Sequence, residues 1–267
     1  MSGTRALAQR MKRALKWSVR VVVGLAALVL LVLLATLTTV DHTPYRDQPA
    51  WRETSARLEQ LRAATNVVFG ELRAGFGRAK LTPALGVERD EPEQGRFRAV
   101  PLAGYGARQG QPATGVHQDL WVKAVAFAVA GRTGVVLTAD ALIIPREVGD
   151  LAVRQLRETR GLARDAVYLS ATHTHSSLGG WGKGIVAEAF AGGFVPGVRE
   201  WFARKLATAA TAALDDLTAA SFGEGGFEAP DFVRNRLLGD DAPKDPEFRL
   251  LLVKQADGDT AVVSNSS

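Results

Sequence analysis

Two of the four histidines in this chain stand two residues apart, in Ala171-Thr172-His173-Thr174-His175-Ser176. In an extended chain, positions i and i+2 face the same side, so His173 and His175 are expected to project together. Two converging imidazoles suit a zinc ion, or one metal ligand beside one acid–base group. The spacing alone also permits a plainer arrangement, two polar side chains hydrogen-bonded to a loop. Zinc takes three or four protein ligands, and no cysteine is present to supply one. That absence also removes disulfides and cysteine nucleophiles. His117, in Gly115-Val116-His117-Gln118-Asp119, stands where a long loop enters an apolar segment; it can reach the same place or stay at the surface. Asp140 closes an apolar run. A carboxylate there can orient a histidine from behind or cap a helix that starts near Pro145. Arg234-Asn235-Arg236 can hold a substrate oxygen or form a surface ion pair.

These residues need elements to position them. Gly75 to Pro83 reads as a short strand that stops at the proline. From Gly86 to Gly115 the chain is rich in Gly, Pro, Arg and Glu and lacks an apolar period, which marks a long loop. Leu120–Val129 and Val135–Ala139 are valine-rich and separated by Ala130-Gly131-Arg132-Thr133-Gly134, as in a β-hairpin. A helix follows Pro145, with Val148, Leu151, Ala152 and Leu156 on one face and Gly161 as its C-cap. Val167–Ala171 is a short buried strand that delivers the two histidines. Strand, helix, strand in that order predicts a crossover unit with parallel strands. A glycine-rich loop, Ser176–Gly197, precedes a long helix over Val198–Leu217. Phe248–Lys254 and Thr260–Ser264 form a last hairpin around Asp257-Gly258. The fold class expected is α/β, a mixed β-sheet with flanking helices.

The N-terminal part has a different character. Arg5, Arg10, Lys12, Arg13, Lys16 and Arg20 hold six of the 33 basic residues, and the remaining 27 face 28 acidic ones. The net positive charge therefore belongs to the tail, and no nucleic-acid partner is expected. From Val21 to Val40 the chain carries no charge. Twenty helical residues span about 30 Å, the thickness of a bilayer's hydrocarbon core. The run exceeds the apolar stretch of a cleaved signal peptide, and Leu37-Thr38-Thr39-Val40 makes a poor cleavage site. The expectation is one transmembrane signal-anchor in a lipid membrane. Basic residues before it place the N-terminus in the cytoplasm and the domain in the periplasm or outside the cell. The chain then divides into a basic tail (1–20), the anchor (21–40), a stalk with a helix (41–72) and a folded domain (73–267).

The segment Ser170-Ala171-Thr172-His173-Thr174-His175-Ser176, with Gly179-Gly180 after it, resembles the signature of the neutral, non-lysosomal ceramidase family. Supporting pieces fall in the family's order. They are Gly77–Pro83, Gly104-Tyr105, Gly115-Val116-His117, Thr138-Ala139-Asp140 and Asn235-Arg236. The resemblance implies a zinc-dependent amidohydrolase that splits the N-acyl amide of ceramide into sphingosine and a fatty acid. It implies that His173 is a zinc ligand, that His175 lies beside the metal and serves substrate or proton transfer, and that Arg236 lies near the substrate. Three features depart from the family. Ser177-Leu178 stands in place of Gly-Pro, and Lys80 stands in place of an aspartate. The family's other zinc ligands, a histidine, a glutamate and a tyrosine, fall beyond Ser267. The resemblance therefore implies the N-terminal part of a catalytic domain, incomplete in this chain. Two other readings stay open, an exported domain that binds without turnover and a related hydrolase with a substrate other than ceramide.

Overall fold

The structure is a computed structural model that describes every residue except Met1, Thr39, Val40, Asn66, Asp240, Asp241 and Ser267, with the side chains of residues 2–9 and 266 left aside. It divides into two compact units, residues 1–67 and 68–267.

In the first unit, α1 (Ser2–Thr36) is one continuous helix. Its stretch Arg10–Thr36, of mean hydropathy 2.7, is long and apolar enough to cross a membrane, and none of it is buried. The helix starts well upstream of Val21 and runs through the basic segment, whose Lys and Arg residues are good helix formers. The last two residues of the expected apolar span, Thr39 and Val40, lie outside the described residues. Helix α2 (Pro49–Ala64) starts with proline at its first turn, where a missing N–H costs nothing.

The second unit is built on a seven-stranded sheet in the order β6-β5-β4-β1-β7-β8-β9. Its strands are β1 (Arg73–Lys80), β4 (Trp121–Val129), β5 (Arg132–Ala139), β6 (Val167–Ala171), β7 (Thr218–Glu228), β8 (Glu247–Gln255) and β9 (Thr260–Ser266). Two short strands, β2 (Ala84–Leu85) and β3 (Arg96–Phe97), pair separately. Three helices complete the unit, α3 (Arg146–Arg160), α4 (Ile185–Ala191) and α5 (Pro196–Asp215).

Alternation sorts the sheet into two faces. Val122, Ala124 and Ala126 of β4, Val135, Leu137 and Ala139 of β5, and Val167 of β6 point to one face and pack with α3 and α5. The other face carries Val125, Phe127, Ala74 and Phe76, which pack with Leu251, Val253, Ala261 and Val263 of the last hairpin. Strand β7 joins β1 through only two residue pairs, Arg73↔Ala219 and Ala74↔Thr218. Beyond them the β7–β9 ribbon leaves the plane and folds across that second face.

Helix α5 lies unusually close to β1 because both surfaces are small. Ala203, Ala207, Ala209, Ala210 and Ala213 are buried along it. A Cβ on Gly75 would stand 2.1 Å from the Ala213 carbonyl oxygen, and one on Gly77 would stand 2.2 Å from that of Ala209.

The expected hairpin and crossover are both present. β4 and β5 are antiparallel, and β6 pairs parallel with β5 after α3. Gly161 caps α3 at φ 67. The hairpin turn is shorter than the sequence reading placed it. Ala130 and Gly131, at φ 47 and 80, make a two-residue turn whose twist matches the strands, so β5 begins at Arg132. The loop after Ser176 contains α4, a helix the glycines had masked. Strand β7 also went unread. Its sequence, TAASFGEGGFE, has neither apolar alternation nor valine, and it is a strand because nine of its residues pair with β8.

The close approach of α5 gives a stability test. Gly77→Ala should destabilise the unit by about 1–3 kcal/mol, since backbone stands on both sides and cannot yield. Urea unfolding of the full chain measures this, with Gly223→Ala as control because nothing lies within 4 Å of the added Cβ. Equal midpoints for the two variants would contradict the packing.

Candidate active site

Strands β5 and β6 end at the same edge, Ala139 opposite Ala171. The chain leaving β5 passes through Asp140 and Leu142, and the chain leaving β6 passes through Thr172 and His173. Parallel pairing therefore brings these two exits side by side.

Leu142 is buried, and both its backbone polar groups are taken by the histidine motif. Its N–H donates to Ser177 Oγ at 3.2 Å, and its carbonyl lies 2.9 Å from His173 Nδ1. A carbonyl can only accept, so Nδ1 of His173 carries the proton. Its Nε2 is left with a lone pair. His175 is arranged in the opposite sense. Its Nδ1 accepts the backbone N–H of Tyr105 at 3.3 Å, so in the neutral ring the proton sits on Nε2. The two rings lie 5.2 Å apart, centroid to centroid.

The histidines do converge, although not through strand alternation. β6 stops at Ala171, and His173 takes the left-handed conformation at φ 56. A turn, rather than a continued strand, sets the second imidazole beside the first. His173 occupies the rim of a cleft of about 540 Å³ between the β4–β6 face and β9, with Thr138, Ser170 and Asn265.

The other candidates are placed as follows. His117 is exposed and lines a neighbouring cleft of about 370 Å³ with Thr174, Ser176, Leu102 and Leu120. Asp140 lines both clefts but makes neither of the bonds considered for it. Its Oδ2 accepts the Trp121 N–H at 2.9 Å, and α3 has no side-chain cap. The group that orients His173 is the Leu142 carbonyl, a main-chain atom with no signature in the sequence. Arg236 sits exposed in the turn that Asn235 closes with Gly239, and it lines neither cleft. Arg108, overlooked in the sequence, reaches the carbonyl of His175.

The departures from the family pattern also find partners. Ser177 and Leu178 are both buried. Ser177 Oγ serves the Leu142 N–H, and its carbonyl accepts from Ala103 N–H at 3.0 Å. Lys80 Nζ stands 2.9 Å from Asp119 and is the main cause holding that carboxyl below its ordinary 3.8.

Comparison with known proteins decides the kinship. Residues 93–237 match the family model described as neutral/alkaline non-lysosomal ceramidase, N-terminal. The chain belongs to that family. Its fold is shared by two solved structures. One is a ceramidase complexed with C2, at TM-score 0.61 and 24% identity over 73% of this chain. The other is neutral ceramidase from Pseudomonas aeruginosa, at TM-score 0.59 and 22% identity over 73% of this chain. The chain covers 31% of the length of each. No curated protein matches it.

Zinc is the metal the family implies, and the donor set tests it. One imidazole offers a free Nε2 lone pair, oriented by a carbonyl at Nδ1, as metal-bound histidines require. Among the described residues no group of three or more His, Cys, Asp or Glu side chains can hold a metal ion. Among the described residues the site therefore offers zinc one ligand, fewer than the three or four it takes.

The Lys80–Asp119 pair predicts a pH effect. Asp119 has a lowered folded value, so its contribution to stability is present above 3.8 and is lost as pH falls through the folded value. The carboxylate is solvent-screened and the effect small. Asp119→Asn should lower the unfolding midpoint near neutrality, and the loss should shrink as pH falls below 3.8. An equal loss at every pH would show that the ion pair is not the cause.

Proposed function

We propose that residues 68–267 form the part of a zinc-dependent amidohydrolase that carries the first metal ligand and an adjacent histidine that donates a hydrogen bond to the substrate. The reaction is hydrolysis of the N-acyl amide of ceramide to sphingosine and a fatty acid. The observation that carries this reading is the pair of opposite tautomers set by Leu142 and Tyr105, in a chain of the ceramidase family.

Zinc, when bound, polarises the scissile carbonyl and lowers the pKa of a water. His173 would hold it through Nε2. His175, with its proton on Nε2, can donate a hydrogen bond to the substrate oxygen. Its position next to His173 lets both act on one amide. Arg236 is assigned to substrate contact by the family pattern alone, and an arginine in an exposed turn can move to meet a bound ligand.

Helix α1 supports a single-pass anchor over 21–40, with the basic residues 1–20 in the cytoplasm and the domain in the periplasm or outside the cell. The stalk covers 41–72. Such an arrangement keeps the hydrolase near lipid substrates, which barely enter water.

The test is ceramide hydrolysis and zinc content in the chain, alone and extended by whatever its gene encodes beyond Ser267. His173→Ala should lose both zinc and turnover in the extended protein. His175→Ala should retain zinc and lose activity by about 10²–10³-fold. The 267-residue form should bind zinc weakly and show no measurable hydrolysis. Zinc retained by the extended His173→Ala protein would overturn the ligand assignment.

A further inference from the structure

Arg108 is a half-buried cation that forms no ion pair among the described residues. Enclosing a guanidinium without a carboxylate is costly unless its N–H groups find acceptors. Nη2 finds three carbonyls, those of Ala103 at 2.5 Å, Gly104 at 3.2 Å and His175. Nε is enclosed with no hydrogen-bond partner among the described residues. The charge is therefore committed to main-chain oxygens on two separate segments, the 103–104 loop and the histidine turn.

The segment it secures is strained. Gly104 has φ 87 and Tyr105 has φ 49, a conformation unfavourable for a bulky side chain. The space where a Cβ of residue 104 would sit is filled by the His175 ring, 2.6 Å away. The Tyr105 ring lies 4.7 Å from that of His175 and has the Arg108 guanidinium over it at 5.2 Å. The product of this clamp is one bond, Tyr105 N–H to His175 Nδ1.

We infer that Arg108 is a positioning residue that fixes the tautomer of His175 by holding the Tyr105 amide against its Nδ1. The use made of that tautomer rests on the proposed hydrogen bond from His175 to the substrate; the tautomer itself does not. Without Arg108 the left-handed Tyr105 has less to hold it, its amide turns away, and the His175 proton is free to sit on either nitrogen.

The experiment is long-range proton–nitrogen correlation on the full chain, labelled with ¹⁵N-histidine and held in detergent micelles, at a pH above the usual imidazole range. Only four histidines contribute, and His173→Ala and His175→Ala assign the two of interest. The wild type should show His175 as the Nε2–H form alone. Arg108→Gln should convert it to a mixture of both tautomers, while His173 keeps its Nδ1–H pattern, because the Leu142 carbonyl is not touched by Arg108. Arg108→Lys, a milder change that keeps a donor for the carbonyls, should keep His175 in the single form. An unchanged His175 in Arg108→Gln overturns the inference. So does a simultaneous change in both histidines, which would make Arg108 a general support of the fold. Failure of His175→Ala to impair ceramide hydrolysis in the protein extended beyond Ser267 would remove the proposed function and leave the tautomer result standing.

Discussion

The parallel pairing of β5 with β6 is the constraint on which the site depends. A crossover through α3 returns the chain in the same direction, so both strands end at one edge. An antiparallel return would have sent His173 to the far end of the sheet from Leu142. With the exits adjacent, the peptide of Leu142 is bracketed by Ser177 on its N–H and His173 on its carbonyl. The histidine turn is thereby fastened to the strand beside it, and Nε2 of His173 is left with a lone pair. The packing of α5 against Gly75 and Gly77 keeps the sheet beneath in place, and the β7–β9 ribbon supplies the opposite wall of the cleft.

Much of the helix-backed half of this fold was legible in the sequence, since valine-rich runs, a Gly C-cap and helical apolar spacing are local signals. The histidine pair was legible as well, and its signature named the family. The physical route to convergence was not. Strand alternation predicts a shared face for His173 and His175, whereas the rings meet through a left-handed turn that no local propensity announces. Strand β7 was hidden because its identity comes from its partner β8 rather than from its own residues. Leu142 and Arg108 escaped for a related reason. Each acts through main-chain atoms on segments remote in sequence, and a carbonyl oxygen carries no residue code.

The departures from the family pattern are accommodated without disturbing the histidines. Ser177 replaces a glycine with a hydroxyl that the Leu142 amide uses, and Leu178 contributes apolar volume to the core. Lys80 pairs with Asp119, which lines the neighbouring cleft. These changes lie beside the histidines rather than at their ring nitrogens.

The central claim is that His173, through Nε2, is the imidazole offered to the metal, and that His175 is held back from it. Cadmium-113 is a close substitute for zinc and couples through the bond to a ligating nitrogen. The most direct measurement is nuclear magnetic resonance of ¹¹³Cd-loaded, ¹⁵N-histidine-labelled protein. The account predicts a one-bond cadmium coupling to Nε2 of His173 and none to either nitrogen of His175. Coupling to His175, or to Nδ1 of His173, would contradict it.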